Sequence, residues 1–299
     1  MVSARGRIFY WLLRAQAIAT RSNATLEERR RALLGGARYL RMPRAVDVDR
    51  TRVGKMAAEW LSPVGTVGNP IILYLHGGAY TMGSCTTHRA LASRIAFASR
   101  ARVLLPEFRL APEHAFPASL EDAVASYRWL LERSSADNIA VMGDSSGGGL
   151  AVAAMVKARD EGLPLPAAIV CLSPWTDLEM KGESILTRAQ VDPICSLEES
   201  RFHAELYVGT SSPRAGLASP VHANLSGLPA LLVQVGDREI LLSDSIRLAA
   251  RAREDGVDVE LQVWDGMWHV WQLFAGYVPE AQQAIDNIGG FVRKHVDSA

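Results

Sequence analysis

From about residue 52 onward the chain alternates short, mostly unbroken apolar runs with longer segments of helical periodicity, and this alternation restricts the fold more than any other feature. The apolar runs are Val53 to Ser62, Pro70 to Leu75, Ala101 to Pro106, Ile139 to Met142, Ala167 to Leu172, Pro229 to Val235 and Val257 to Val263. Between them lie helical patterns at Thr87 to Arg100, Ala118 to Arg133, Ser146 to Glu161, Ser243 to Asp255 and Glu280 to His295. Runs without polar alternation suit strands covered on both faces, and strands separated by helices become parallel neighbours. The expected class is therefore α/β: a mostly parallel central sheet flanked by helices. At 299 residues and 48% hydrophobic content there is ample chain for such a core.

One stretch breaks the rhythm. Asp177 to Leu228 is too long for an ordinary connection, and we expect it to fold as helices laid over the sheet edge. The chain also opens with two helical patterns, about Arg5 to Ala19 and Leu26 to Leu40, interrupted at Arg21-Ser22-Asn23. Ile8, Trp11, Leu12 and Ala15 recur at helical spacing, which predicts an apolar stripe turned inward beneath a solvated basic face. Trp11, Leu12, Leu33 and Leu34 should then find buried partners. A membrane-surface helix is the other reading of that stripe, because the first 50 residues carry 11 arginines against four acids, none before Glu27. An organellar transit peptide shares this arginine-rich, acid-poor start, but a secretory signal is excluded by the missing small-residue cleavage site.

Composition narrows the function classes. Thirty-two basic side chains balance 32 acidic ones, so the basic surplus that phosphate neutralisation needs is absent and no nucleic-acid partner is expected. No run approaches the roughly 20 apolar residues of a membrane span. Cys85, Cys171 and Cys195 follow no metal-ligand spacing and cannot all pair within one chain, which suits reduced thiols and a cytoplasmic location. Association as a homodimer is left open.

The chemistry concentrates at two strand ends. Ile139 to Met142 runs into Gly143-Asp144-Ser145-Ser146-Gly147-Gly148-Gly149 and then an Ala-rich helix, which is G-x-S-x-G in strand-turn-helix context. Small residues around Ser145 allow a sharp turn that lifts one hydroxyl above the sheet, and the helix start supplies free N–H groups, that of Ser146 among them. A phosphate-cradling turn is the competing reading, but the P-loop lysine is missing. Trypsin-like proteases share GDSSGG, yet they are all-β with the histidine before the serine. The second strand end is Ile71 to Leu75 running into His76-Gly77-Gly78-Ala79-Tyr80, where two glycines free the backbone to aim consecutive N–H groups at one point.

A serine nucleophile needs a base and an acid. Of seven histidines, His269 alone sits in a loop between the last strand and the final helix, whence it can reach back to Ser145. His88, His203 and His295 fall on helical patterns and are expected at the surface; His114 lies in a proline-bounded loop, and His76 should brace the glycine loop. The acid should follow another strand, and after Pro229 to Val235 both Asp237 and Glu239 are available. The order serine, acid, histidine is that of α/β-hydrolases.

Four ordered motifs now carry a resemblance: His76 to Tyr80, the block Phe108-Arg109-Leu110-Ala111-Pro112-Glu113-His114-Ala115-Phe116-Pro117-Ala118, the turn Gly143 to Gly148, and Gly266-Met267-Trp268-His269. From about residue 45 to the C-terminus the chain resembles the bacterial hormone-sensitive-lipase-like esterases, family IV of the lipolytic enzymes, on the α/β-hydrolase fold. The resemblance implies hydrolysis of short- to medium-chain carboxylic esters, a small-molecule substrate, and neither metal nor cofactor. It implies a helical cap made of residues 1–45 and an insertion at about 178–226, on a catalytic domain spanning 46–299. Ser145, Glu239 and His269 become the expected triad, since the family pattern G-x-x-D-x-L laid on Gly236 puts Glu239 at the acidic position, thirty residues before His269. Asp237, with the shorter side chain, and Asp192, in an Asp-Pro-Ile that imitates the family's D-P-L, are the alternatives; Asp192 is otherwise a supporting or substrate-side residue. Gly77, Gly78, Ala79 and Ser146 form the expected oxyanion hole. The family usually has a third glycine where this chain has Ala79, so the hole should survive if the φ of Ala79 is negative. An amidase or peptidase with the same triad remains an alternative, as does a non-catalytic receptor of the gibberellin-receptor kind, which lacks the histidine that His269 supplies here.

Overall fold

The runs ending at Leu75, Pro106, Met142, Leu172 and Val235 become strands buried along nearly their whole length, as strands covered on both faces require, whereas the last run becomes an edge strand, Val259–Trp264, none of whose residues is buried. The computed structural model describes residues 2–20, 24–66 and 70–296. In chain order its elements are α1 (Ala4–Thr20), α2 (Leu26–Ala37), β1 (Val46–Val53), β2 (Met56–Pro63), β3 (Ile71–Leu75), α3 (Cys85–Ser99), β4 (Arg102–Pro106), α4 (Ala118–Leu131), β5 (Ile139–Asp144) and α5 (Ser146–Asp160). They continue with β6 (Ala168–Leu172), α6 (Ser184–Thr187), α7 (Leu197–Val208), β7 (Ala230–Gly236), α8 (Leu242–Glu254), β8 (Val259–Trp264) and α9 (Pro279–His295).

The sheet order is β1-β2-β4-β3-β5-β6-β7-β8. β1, β2 and β4 pair antiparallel, and the six strands from β4 across to β8 are parallel. Because the chain moves outward from β3 to β4 and then returns to β5, the winding direction reverses between β3 and β5. Their C-terminal ends lie side by side, with Leu75 opposite Gly143, and such a switch point is where open α/β sheets place their ligands. Alternate strand residues feed two cores, one on each face: Leu73, Leu75 and Val141 pack with α4, α5 and α8, while Ile72, Tyr74 and Met142 pack with α3 and α9.

The sequence reading needs correction at β1 and β2. The run at Val53 to Ser62 suggests one strand, whereas a hairpin through Gly54 pairs Val46–Val53 with Met56–Pro63. β1 reads Val-Asp-Val-Asp-Arg-Thr-Arg-Val, mostly exposed and charged, which is how an edge strand avoids pairing with other chains and why periodicity overlooks it.

The N-terminal helices also depart from expectation. In α1 the inward residues are Gly6, Phe9, Tyr10 and Leu13, while Ile8, Trp11 and Leu12 face outward. α2 buries no residue at all, and Leu33 and Leu34 are exposed. It is held by polar contacts instead. Arg30 donates to the carbonyls of Thr81 (2.7 Å) and Ala111 (2.9 Å) and pairs with Glu113 at 2.6 Å, while Arg29 pairs with Glu199. The expected interruption at Arg21-Ser22-Asn23 lies outside the described residues. Within Asp177 to Leu228 the structure forms α6 and α7, and α7 reaches the glycine loop by stacking Tyr207 on Tyr80 at 3.7 Å.

Candidate active site

The backbone at Ser145 is forced into an uncommon conformation, φ 54° and ψ −124°, between the last residue of β5 and the first of α5. Such strain persists only where its surroundings impose it. Here the turn is so tight that a Cβ on Gly143 would lie 2.3 Å from the Gly147 carbonyl oxygen, and one on Gly147 would lie 2.0 Å from that of Leu75. Glycine at both positions is thus a steric requirement of the turn. Ser145 is tied in by its own N–H, which donates to Leu172 on the neighbouring strand at 2.8 Å.

His269 reaches this hydroxyl from the loop after β8. Its Nε2 lies 3.0 Å from Ser145 Oγ and its Nδ1 lies 2.7 Å from Glu239 Oε2. Glu239 is fully buried, with its other oxygen accepting from Gly236 N–H at 2.7 Å and from Ser173 Oγ at 2.8 Å. Ser173 accepts in turn from Val270 N–H at 3.1 Å, so one hydroxyl couples the acid to the residue after the histidine. The motif reading missed Ser173. Its signal was positional, a small polar residue directly after β6, between the strands that deliver Ser145 and Glu239. Burial opposes a charged His269 ring, but the Cys195 sulfur and the Glu239 carboxylate more than offset this and hold its pKa well above the ordinary value.

The competing carboxylates lie elsewhere. Asp237 accepts from Gly266 N–H at 2.7 Å, tying the two strand-end loops together without touching His269. Asp192 accepts from Ile194 and Cys195 through one oxygen and from Ile240 through the other, again without contacting the ring.

The glycine loop is fixed from beneath. Gly77 N–H donates to Asp144 Oδ1 at 3.0 Å, so this N–H is committed and Gly77 shapes the loop without facing the hydroxyl. The same oxygen accepts from Tyr74, and the second faces His88 Nε2 at 3.2 Å. Burial raises the Asp144 pKa, but the His88 ring and the three hydrogen bonds pull harder and leave it below the usual carboxylate value. His76 stacks between Phe108 and His88, and burial pushes its pKa down to about 3, so it stays neutral. Neither Gly78 nor Ala79 spends its N–H on a protein acceptor among the described residues, and Ser146 is the first residue of α5, where N–H groups lack intrahelical partners. The negative φ expected of Ala79 is not found, its φ being 54° and that of Tyr80 61°. The loop holds this L-residue in the left-handed region instead, and its N–H is left without a protein acceptor there among the described residues, so a free donor does not depend on the sign of φ. Tyr80 N–H donates to Ser146 Oγ at 3.2 Å, which holds loop and helix together.

Two histidines expected at the surface are buried. His88 is the partner of Asp144, and His203 meets Thr81 Oγ1 at 2.7 Å, linking α7 to the glycine loop. Helical periodicity places a residue on a helix but does not say which face a later element will cover. The block from Phe108 to Ala118 braces the loop: Phe108 stacks on His76 at 4.1 Å and Ala111 N–H donates to the Tyr80 carbonyl. Among the described residues one group, Asp177, Glu179 and His222, has metal-ligand spacing. Both Asp177 oxygens are already occupied by backbone N–H groups and Arg247, and the group shares no residue with the Ser145 cluster.

A parallel sheet that lifts a serine at its switch point, faces it with a histidine backed by a carboxylate, and sets free N–H groups beside it defines a hydrolase of the α/β class. Comparison with known proteins agrees: the family described as alpha/beta hydrolase fold matches residues 72–273. An acetyl-hydrolase of Streptomyces hygroscopicus is 44% identical over 246 residues, 82% of either chain, and an esterase of Acinetobacter venetianus is 34% identical over 223 residues, 74% of either chain. A solved esterase of the bacterial hormone-sensitive lipase family superposes with a TM-score of 0.95 at 46% identity, covering 99% of this chain and all of that one. The chain belongs to the alpha/beta-hydrolase family, and within it to the bacterial hormone-sensitive-lipase-like carboxylesterases.

Proposed function

We propose that this enzyme hydrolyses short- to medium-chain carboxylic esters through an acyl-enzyme on Ser145. The observation that carries the reading is the pair of contacts made by one buried ring, His269 Nε2 to Ser145 Oγ at 3.0 Å and Nδ1 to Glu239 Oε2 at 2.7 Å. In this mechanism Nε2 accepts the Ser145 proton as Oγ bonds to the ester carbonyl carbon, and Glu239 stabilises the imidazolium that forms. The developing oxyanion is held by the N–H groups of Gly78, Ala79 and Ser146, each such donor being worth about 2.7–4 kcal/mol of barrier. Collapse breaks the ester C–O bond, and the departing alkoxide takes the proton from Nε2. Water then attacks the acyl group, giving its proton to the same nitrogen, and Ser145 is released with the carboxylic acid.

Residues 1–45 and about 178–226 serve in this reading as a cap over the carboxyl ends of the strands. Arg30, Tyr207 and His203 support it, since each comes from those segments and contacts the loop from Gly78 to Tyr80 or the residues that hold it. A panel of p-nitrophenyl esters from acetyl to decanoyl, with the matching anilides, tests the assignment. Turnover should peak at short to medium acyl length and fall at least roughly a thousandfold in Ser145→Ala and His269→Ala, as when serine triads are broken. Preference for the anilides would make the enzyme an amidase, and a tenth of normal turnover in either variant would remove that residue from the mechanism.

A further inference from the structure

Helix α1 is apolar on two opposite faces, and only one is used by the fold. Its inner face is fixed: Tyr10 is buried and donates to the Val191 carbonyl at 2.9 Å, and Phe9 packs on Phe274 and Tyr277. On the outer face Ile8, Trp11 and Leu12 are 59%, 66% and 60% exposed. At 100° per residue these three form one stripe, continued by the exposed Ala4 and Ala15. Arg7 and Arg14 run along one border of the stripe and Arg5 lies on the other. A cluster of exposed large apolar side chains between cationic borders marks an interaction surface.

Charge decides what kind. α1 contains no acidic residue, so a second copy apposed symmetrically would bring its arginine borders against those already there. An anionic headgroup layer, by contrast, satisfies both borders at once and receives the tryptophan at the depth tryptophan favours. No described helix is long and apolar enough to cross a membrane, and the inner face of α1 is held by the protein, so the helix can only lie in the interfacial plane. We propose that the outer face of α1 docks the enzyme reversibly onto anionic lipid bilayers, inserting Ile8, Trp11 and Leu12 while Arg5, Arg7 and Arg14 meet the phosphates. The attraction of these arginines to the headgroup charge falls off within a Debye length, which makes the attachment sensitive to salt. Tyr10, on the buried face, lies 6.3 Å ring to ring from Trp268, the neighbour of His269, so docking would set the bilayer about one helix diameter from the catalytic loop.

The inference is independent of the acyl-transfer reading, because attachment is measured without turnover. Full-length protein is sedimented with vesicles of phosphatidylcholine alone and of phosphatidylcholine with phosphatidylglycerol, at low and high salt. Wild type should sediment with the anionic vesicles only, and lose this at high salt. Trp11→Ser/Leu12→Ser and Arg5→Gln/Arg7→Gln should each weaken attachment by roughly tenfold, while turnover of a water-soluble ester, which reports an intact fold, stays normal. Equal sedimentation of wild type and both variants would overturn the proposal. So would failure of wild type to bind, and gel filtration showing a wild-type dimer that Trp11→Ser/Leu12→Ser dissolves would then assign the face to a second copy.

Discussion

The Asp192 carboxylate accepts the N–H of Ile240 at 2.8 Å, one residue beyond Glu239. Its other oxygen holds Ile194 and Cys195, at 2.8 and 2.9 Å, so this single side chain clasps the segment before α7 to the loop that presents the acid. Burial pushes its carboxyl up to about 6, although His269 and the three N–H groups pull the other way. In Asp192→Asn one oxygen becomes an amide donor facing an N–H, so either clasp is broken. A hydrogen bond to a charged group is worth about 1.5–3 kcal/mol, and with part of it transmitted to Glu239 we expect kcat/KM to fall roughly tenfold. The sign of the pH effect follows from the raised carboxyl. The folded state binds the extra proton between the ordinary value and about 6, so this group's contribution to stability declines as pH rises through that window. The Tm of Asp192→Asn should therefore improve relative to wild type between pH 4.5 and pH 7. A constant Tm difference with unchanged kcat/KM would remove the clasp from the positioning of Glu239.

Glu239→Gln and Asp237→Asn separate the two carboxylates of one loop. In the proposed mechanism His269 acts as a base and must be unprotonated, so kcat/KM should fall as pH drops through the raised pKa of that ring. Removing the Glu239 charge lowers that pKa, which moves the acidic limb to lower pH and reduces the plateau by roughly a thousandfold or more. Asp237→Asn keeps an acceptor for Gly266 N–H and should leave the limb in place, with kcat/KM within about threefold of normal. An unmoved limb in Glu239→Gln beside an inactive Asp237→Asn would reverse the assignment.

What the sequence made legible follows from the range of the interactions involved. Ser145, Gly143 and Gly147 could be read because the turn is local and its steric demands fall on adjacent residues. Glu239 and His269 were legible through their places after successive strands, since the parallel sheet puts those ends on one edge. Ser173 and His88 were not legible, because each matters through a partner more than 50 residues away, and a helical histidine carries no mark of which face is covered. The inward and outward faces of α1 were exchanged for a related reason: both are apolar, and only the tertiary contacts of Phe9 and Tyr10 decide between them.

The buried pair of Asp144 and His88 gives a third prediction. Asp144 Oδ1 receives both Tyr74 and Gly77, and the Gly77 bond sets the plane from which Gly78 and Ala79 N–H groups emerge. In Asp144→Ala these donors lose a fully buried acceptor. We expect kcat to fall by one to two orders of magnitude with KM changed less than threefold, because the loop's donors matter most when the oxyanion has formed. His88→Gln, which can still donate to Asp144, should recover most of the activity lost in His88→Ala. A purely structural role would lower Tm alike in both variants and leave kcat untouched.

Ala79 is the most exacting case, since its φ of 54° is one that an L-residue with a Cβ resists. Holding such a residue in the left-handed region costs about 1–2 kcal/mol, which glycine avoids. Against this, glycine has more freedom to lose on folding, worth about 0.4–1 kcal/mol. The difference favours Ala79→Gly by about 0.5–1 kcal/mol, and a rise in Tm of about 1–3 °C should be measurable. The N–H is unchanged by the substitution, and its direction is fixed on one side by Gly77 on Asp144 and on the other by Tyr80 on Ser146. Turnover should then stay within about twofold of wild type, because removing the methyl group removes no donor. If kcat instead dropped tenfold while Tm rose, the alanine would be holding the loop rigid, and the strain at position 79 would be part of what aims the oxyanion donors.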